Sequence, residues 1–165
     1  MKILALCLST RKNLCIHEEV SQQTDWIQVD RMCWSKTSSW QRLKVEAKQT
    51  TDIEDIANNL CTYYEGWTKQ QDEIILRTGI LTLEDLKEIG KEKNVCPYFL
   101  VRDYLARANV CVFNYSYLLD PKISEAVTKS LQEDSIIVFD ECHNIDNACI
   151  EGFTMNLNRP TLWLA

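Results

Sequence analysis

Apolar residues change their spacing along the chain, and the changes predict most of its elements. Near the start, Ile3-Leu4-Ala5-Leu6-Cys7-Leu8 is an unbroken apolar run closed by Ser9-Thr10. A short run ended by polar residues predicts a buried strand. From residue 13 to about residue 36 no period is sustained, and a loop is predicted. Thr51-Asp52-Ile53-Glu54 reads as a capping box, and Ile53, Ile56, Ala57, Leu60, Cys61 and Tyr64 follow at helical spacing. That pattern predicts an amphipathic helix with Cys61 on its apolar face. The polar connection 65–79 is the predicted mobile loop. A second capping box, Thr82-x-x-Asp85, opens a short helix with Gly90 where a C-terminal cap belongs. Pro97 suits the first position of a helix reaching about Arg107, which makes Cys96 its N-cap or the residue just before it.

The last third alternates differently. Residues 108–114 (Ala-Asn-Val-Cys-Val-Phe-Asn) predict a buried strand, Asp120-Pro121 begins a helix carrying Ile123, Ala126, Val127 and Leu131, and Ser135-Ile136-Ile137-Val138-Phe139 predicts a second buried strand. Strand, crossover helix and strand make a βαβ unit, which implies parallel strands with both faces covered. Neither an internal repeat nor a low-complexity tract interrupts the pattern.

Composition narrows this reading. The 165 residues, 45% of them apolar, suit about one domain. Typical usage would give about twelve Gly and eight Pro; four and three are present, so regular elements are expected to dominate. The opening apolar run is short of the roughly 7–15 residues of a secretory leader and meets Arg11-Lys12 instead of a small-residue cleavage site, so no leader is expected. No run approaches the roughly eighteen apolar residues of a membrane span. A reducing compartment follows as the expectation, and disulfides become the less expected use of eight Cys.

The net charge of -6 is uneven. Residues 51–92 hold ten acids against four bases, a difference that accounts for all six charges, whereas residues 34–50 carry Lys36, Arg42, Lys44 and Lys48 against Glu46 alone. The acidic total therefore neither supports nor excludes a local nucleic-acid surface.

Two constellations can carry chemistry. Asp140-Glu141-Cys142-His143 follows the predicted strand directly, and ligands of open α/β sheets bind beyond the carboxyl ends of strands. In a nucleotide-hydrolysing site the Asp would hold Mg²⁺ through water and the Glu would activate the attacking water; otherwise the pair merely begins a turn. Cys15, Cys33, Cys61 and Cys96 precede the predicted sheet at separations of 18, 28 and 35 residues, with no CxxC. Four thiolates can bind zinc or an iron–sulfur cluster, and a helix N-terminus would stabilise a Cys96 thiolate. Buried core thiols are the alternative. Aromatic and basic residues interleave at Trp34, Lys36, Trp40 and Arg42, and again at Tyr98, Phe99 and Arg102. Such mixtures suit single-stranded nucleic acid, or half-buried surface aromatics.

Five stretches taken together resemble the XPD family of iron–sulfur DNA helicases, the helicase subunit of transcription and repair factor TFIIH. They are Arg11-Lys12-Asn13-Leu14-Cys15-Ile16-His17, Cys96-Pro97-Tyr98-Phe99-Leu100, Ala108-Asn109-Val110, Tyr117-Leu118-Leu119-Asp120-Pro121-Lys122-Ile123, and Val138-Phe139-Asp140-Glu141 with His143-Asn144-Ile145-Asp146-Asn147. The resemblance implies an α/β fold: a partial parallel-sheet helicase motor domain with an inserted, mainly helical iron–sulfur domain. Residues 1–12 would supply a strand and the entry of the first motor domain, 13–107 the iron–sulfur domain, and 108–165 the βαβ part of the motor domain with its Walker B box.

Carried over by position, the resemblance makes Cys15, Cys33, Cys61 and Cys96 the ligands of a 4Fe–4S cluster, leaving Cys7, Cys111, Cys142 and Cys149 as structural thiols. Asp140 and Glu141 become the Walker B pair serving ATP and Mg²⁺, with His143 coupling the nucleotide site to DNA. Tyr98 and Arg102 match residues lining the passage of the translocating strand, and Arg11 matches a basic residue beside the cluster and the DNA path. The implied activity is ATP-dependent 5′-to-3′ DNA helicase action in nucleotide excision repair and transcription initiation. The implied partners are single-stranded or forked DNA and TFIIH subunits, in the nucleus and away from membranes.

Position 142 is Cys where the family's box usually has Ala, and residues 18–95 match poorly outside the cysteines and the 79–90 region. No G-x-x-x-x-G-K-S/T phosphate loop is present, since Gly90-Lys91 is followed by Glu92. The expectation is a segment of the helicase that does not hydrolyse ATP efficiently alone. A non-catalytic iron–sulfur module binding DNA or a partner, and a four-Cys zinc-binding domain, are the alternatives.

Overall fold

The computed structural model describes residues 3–47 and 59–154. The chain forms two compact units, Met1–Val112 and Phe113–Ala165.

In the first unit, β1 (Leu4–Cys7) lies between β2 (Gly79–Leu81) and β3 (Val110–Val112), parallel to both. Asn109 fixes the register at one end, its side-chain oxygen accepting from the Leu4 amide at 2.9 Å and its own amide donating to the Leu4 carbonyl at 2.9 Å. The period of two in β1 turns Leu4 and Leu6 inward and leaves Ala5 and Cys7 half-buried. Leu6 pairs with Leu81 and Cys111 on the covered face. On the opposite face Ile80, Val110 and Val112 are exposed, so the expectation of a sheet covered on both sides fails here. That expectation followed from a crossover helix between strands, and among the described residues none lies on this face.

The stretch predicted as a loop from residue 13 to about 36 is helical instead: α1 (Arg11–Leu14), α2 (Glu18–Ser21) and α3 (Trp26–Thr37), followed by α4 (Ser39–Ala47). The Asp25 side chain caps α3, accepting from the Ile27 amide at 3.1 Å. Each of α1, α2 and α3 buries a single apolar anchor, Leu14, Val20 and Val29. One anchor per helix leaves no stripe for periodicity to register.

The helix predicted to begin at Thr51 lies for the most part outside the described residues. Its final turns do not run on through Cys61, because a new helix, α5 (Thr62–Gln70), starts there with Cys61 as N-cap. Residues 65–70 of the predicted mobile loop 65–79 are therefore helix. The Thr82–Asp85 capping box forms as expected and opens α6 (Leu83–Glu92). Gly90 is not its cap. The helix continues to Glu92, and Asn94 takes the left-handed position at φ 53. The Val95 amide donates to Gly90 O at 2.9 Å and the Asn94 amide to Lys91 O at 3.3 Å, which is a Schellman closure. Gly90 serves a close approach: a Cβ there would lie 2.5 Å from Pro97 Cγ and 2.9 Å from Val95 O.

Pro97 begins α7 (Pro97–Tyr104) with Cys96 as N-cap, as predicted, and a 3₁₀ turn follows over Leu105–Arg107. Leu86, Val95, Leu100 and Val101 are fully buried beside Leu14 and Val29 and form the core. Tyr104 ties the 74–76 segment to α7, its hydroxyl donating to Ile74 O and accepting from the Leu76 amide at 3.2 Å.

The second unit contains α8 (Ser116–Leu119), α9 (Pro121–Thr128) and α10 (Ile145–Phe153). The predicted helix after Asp120-Pro121 is present, with Val127 buried. The predicted strand 135–139 is not: the segment is irregular, with Ile136 91% and Val138 84% exposed. The βαβ unit fails with it. An apolar run supplies side chains suited to a strand but not the neighbouring backbone that a ladder requires, and among the described residues nothing pairs with it. The observed architecture is mixed helix and parallel sheet, which agrees with the α/β class. Among the described residues no helix is long and apolar enough to cross a membrane.

Candidate functional site

Four of the eight cysteines meet in the first unit, although they come from four separate elements. Cys15 follows α1, Cys33 lies within α3, Cys61 caps α5 and Cys96 caps α7. All eight cysteines are free thiols. Cys61 and Cys96 are buried at 8% exposure, and Cys15 and Cys33 are half-buried.

The segment 93–97 brings the last two together. The Cys96 amide donates to the Tyr63 carbonyl of α5 at 2.8 Å. Gly66 of α5 lets the Asn94 carbonyl approach so closely that a Cβ there would sit 2.0 Å from the oxygen. An aromatic layer seals the contact, with Phe99 of α7 lying 4.7 Å from Tyr64 and 5.3 Å from Trp67, centroid to centroid. The Cys61 amide in turn donates to Lys36 O at the end of α3, at 3.1 Å.

The thiols feel one another. Burial raises Cys15 to about 11, with the His17 amide opposing and Cys33 and Cys61 adding to the rise. Burial raises Cys96 to about 12, against the pull of the Phe99 amide and with Cys61 and Cys33 raising it further. Cys61 is raised by burial and by Cys33, while the Tyr64 and Tyr63 amides draw it down without forming a side-chain capping hydrogen bond. Cys33 is raised by burial, and Arg11 and Thr37 oppose. Cys7 and Cys111 are also raised by burial, but neither feels another cysteine.

Among the described residues, no three His, Cys, Asp or Glu side chains close to the spacing of a bound metal ion. The donor chemistry nevertheless fits one. Burial raises all four thiols, and Cys15, Cys61 and Cys96 are raised further by a neighbouring cysteine; a multivalent cation would compensate their thiolate charge, and binding would release protons. Cys15, Cys33, Cys61 and Cys96 would hold a four-thiolate iron–sulfur cluster or zinc.

Beside the thiols, Arg11, Tyr98 and Arg102 also come together. The Arg11 guanidinium lies 4.5 Å from the Tyr98 ring centroid and that of Arg102 lies 5.6 Å from it. Arg102 Nη1 donates to the Tyr98 hydroxyl at 3.3 Å, and Arg11 pairs with Asp30 at 3.3 Å. Burial works against the Arg11 charge, but Tyr98, Cys33 and Asp30 outweigh it and hold the cation more firmly than usual. Tyr98 is 8% exposed, so its ring faces the arginines and is not open for stacking.

The interleaved residues of α3 and α4 divide. Trp34 and Trp40 are exposed, 6.0 Å apart, with Lys44 over Trp40. Arg42 is taken up by Glu65 at 2.8 Å and Lys36 by Glu19 at 3.1 Å. Sequence reading missed these two ion pairs and the glycine contacts. A side chain's charge is visible in a sequence, but its partner 17 or 23 residues away is not.

In the second unit, Asp140, Glu141 and His143 share one exposed turn. Glu141 is left-handed at φ 50, and His143 Nδ1 lies 3.3 Å from its carboxylate. Tyr115 borders the turn, 5.9 Å from Phe139 between ring centroids, and its hydroxyl is raised by desolvation and then by the charge of Asp140. The turn gathers acid, acid and imidazole in the predicted order, without a strand behind it.

A small parallel sheet carrying a four-thiol cluster of helices defines an α/β protein with a candidate metal centre. The DEAD_2 family model matches residues 1–162, and the chain belongs to that family. General transcription and DNA repair factor IIH helicase subunit XPD of Arabidopsis thaliana is 44% identical over 161 residues, 98% of this chain and 20% of the relative. The XPD/RAD3 subunit of Saccharomyces cerevisiae is 40% identical over 157 residues, 95% of this chain and 20% of the relative. Human regulator of telomere elongation helicase 1 is 30% identical over 151 residues, 91% of this chain and 11% of the relative. The chain thus spans about a fifth of the length of the XPD relatives it matches, and the XPD-family resemblance read from its motifs holds.

Proposed function

We propose that the chain is part of an ATP-dependent DNA helicase of the TFIIH type, acting 5′ to 3′ in nucleotide excision repair and transcription initiation in the nucleus. Residues 13–107 form its iron–sulfur domain, and 1–12 and 108–165 belong to the first motor domain. The observation that carries the reading is the convergence of Cys15, Cys33, Cys61 and Cys96, apart from Cys7 and Cys111. Family membership and the helicase names of the relatives support the rest.

A bound 4Fe–4S cluster would cross-link covalently four segments otherwise joined by packing, hydrogen bonds and the Arg11–Asp30 ion pair. Arg11 holds its charge against the Cys33 corner and braces Tyr98. Arg102, half-buried beside Tyr98, presents a cation to the phosphates of a passing DNA strand. Asp140 would hold Mg²⁺ through water, Glu141 would take the proton of the attacking water, and His143, within reach of Glu141, would link that turn to DNA. In this reading the remaining parts of the motor, including a phosphate loop and the other TFIIH subunits, complete the activity.

Anaerobic purification followed by absorption spectroscopy and metal analysis tests the reading. About four iron and four sulfide per chain are expected, lost on Cys96→Ser and kept on Cys111→Ser. Stoichiometric zinc without iron would replace the cluster by a four-Cys zinc site.

A further inference from the structure

We propose that the outer side of α3 and α4 is a docking surface for an acidic amphipathic segment of a partner protein. In α3, Ile27, Arg31 and Trp34 stand at i, i+4 and i+7, and all three are exposed. In α4, Trp40, Leu43 and Lys44 stand at i, i+3 and i+4, and these are exposed as well. Residues so spaced share one side of a helix. Each helix therefore turns apolar and cationic groups outward together, while Val29 of α3 goes to the core. The rings of Trp34 and Trp40 lie 6.0 Å apart between centroids, so the two sides meet at that contact.

Charge selects the partner. Arg31 and Lys44 make no ion pair among the described residues. The acids of residues 26–47 are Asp30 and Glu46. Asp30 is taken by Arg11 at 3.3 Å, and position 46 stands two residues after Lys44, a spacing at which helical positions do not face each other. The outward side thus combines four large apolar residues with two uncompensated cations. A segment that sets apolar side chains at helical spacing among carboxylates meets both needs, since its apolar stripe covers the rings and its acids reach Arg31 and Lys44. Trp and Arg are also the side chains that most often dominate binding at protein interfaces.

Two other occupants fit less well. A second copy docked through the same face about a two-fold axis would bring Arg31 and Lys44 against their own kind. Single-stranded nucleic acid would need flat, open rings, but Lys44 Nζ already lies 4.5 Å from the Trp40 ring centroid and Trp34 meets Trp40 at 52°. Ile27 and Leu43 offer a base no ring to stack on, whereas they suit the apolar stripe of a peptide helix. The surface is separate from the four thiols and from the Asp140 turn, so its role goes beyond the cluster and nucleotide readings and does not depend on either.

The test uses the full chain and fluorescence anisotropy of a labelled helical peptide of about four turns, with Leu at i, i+3, i+4 and i+7 and Glu or Asp elsewhere. Its controls are a scrambled isomer that breaks the spacing and a version with Lys in place of each acid. The acidic peptide is expected to bind about tenfold or more tightly than its isomer, and to weaken as salt rises. Trp34→Ala should cost about tenfold in affinity. The double substitution Arg31→Glu with Lys44→Glu should lose the acidic peptide and gain the basic one, with far-UV circular dichroism unchanged; this exchange of preference is a result that loss of structure cannot produce. Equal binding of the acidic peptide and its isomer, or wild-type affinity in both variants, would overturn the proposal. So would an oligothymidylate probe that binds the wild type more tightly than the peptide and loses that affinity in Trp34→Ala, since the face would then serve nucleic acid.

Discussion

Replacing Gly66 by alanine would drive a methyl group to 2.0 Å from the Asn94 carbonyl oxygen and 3.2 Å from its carbon. The obstacle is backbone, so no rotamer change relieves it, and Asn94 is itself fixed by the closure of α6. Overpacking of this kind costs typically about 1–3 kcal/mol, and a rigid obstacle belongs at the upper end. Alanine returns about 1 kcal/mol of helix propensity. If α5 withdraws, the hydrogen bond from the Cys96 amide to Tyr63 is lost as well, at about 1 kcal/mol. The sum is a destabilisation of about 3 kcal/mol. Urea unfolding followed by far-UV circular dichroism measures it, with Gly152→Ala as control because its new Cβ would come no closer than 3.4 Å to Asp120. The same displacement separates Cys61 from Cys96, so iron retention should fall alongside stability. Wild-type stability in Gly66→Ala, to within about 0.5 kcal/mol, would refute the close-packing account of how these two thiols meet.

Arg11→Gln removes both the Asp30 ion pair and the stacking on Tyr98, and thermal or urea unfolding should show a loss of about 1–2 kcal/mol; Arg11→Lys should recover only part of it, since it lacks the planar fork. The Asp85 carboxyl is held below its ordinary range first by the Thr82 amide and hydroxyl. Its stabilising contribution is therefore complete above the unfolded value of about 3.9 and disappears as pH falls through the lower folded value; Asp85→Asn should flatten that acid limb of the stability curve. In metal-free protein, brief iodoacetamide treatment read by mass spectrometry should label exposed Cys142 well before Cys61 and Cys96, both 8% exposed. Equal labelling would contradict their burial.

Three elements of the first unit were legible because their signals are local. The run Leu4–Cys7, the Thr82–Asp85 box and Pro97 after Cys96 each act within a few residues, and each produced the expected element. The errors arose where distant partners decide. Cys61 continues the apolar spacing of the residues before it, yet the Lys36 carbonyl takes its amide and the chain breaks there to restart as α5. Residues 135–139 have strand composition but no strand to lie against among the described residues. Trp26 and Ile27 of α3 are exposed while Val29 alone is buried, a pattern no helical period would reveal. For the candidate site, the four cysteines could be nominated from the sequence, but spacing alone did not rank a metal site above core thiols. The influence of one thiol on another, and the approach of two arginines to the Tyr98 ring, became visible only with the chain folded.

The uncovered face of the sheet governs how this polypeptide behaves as a solute. Ile80 at 80%, Val110 at 49% and Val112 at 61% exposure form an oily stripe next to Ala5 and Cys7. Sulfate and other salting-out ions strengthen such contacts without unfolding anything. Raising sulfate is therefore expected to lower the solubility of concentrated stocks while their circular dichroism stays unchanged.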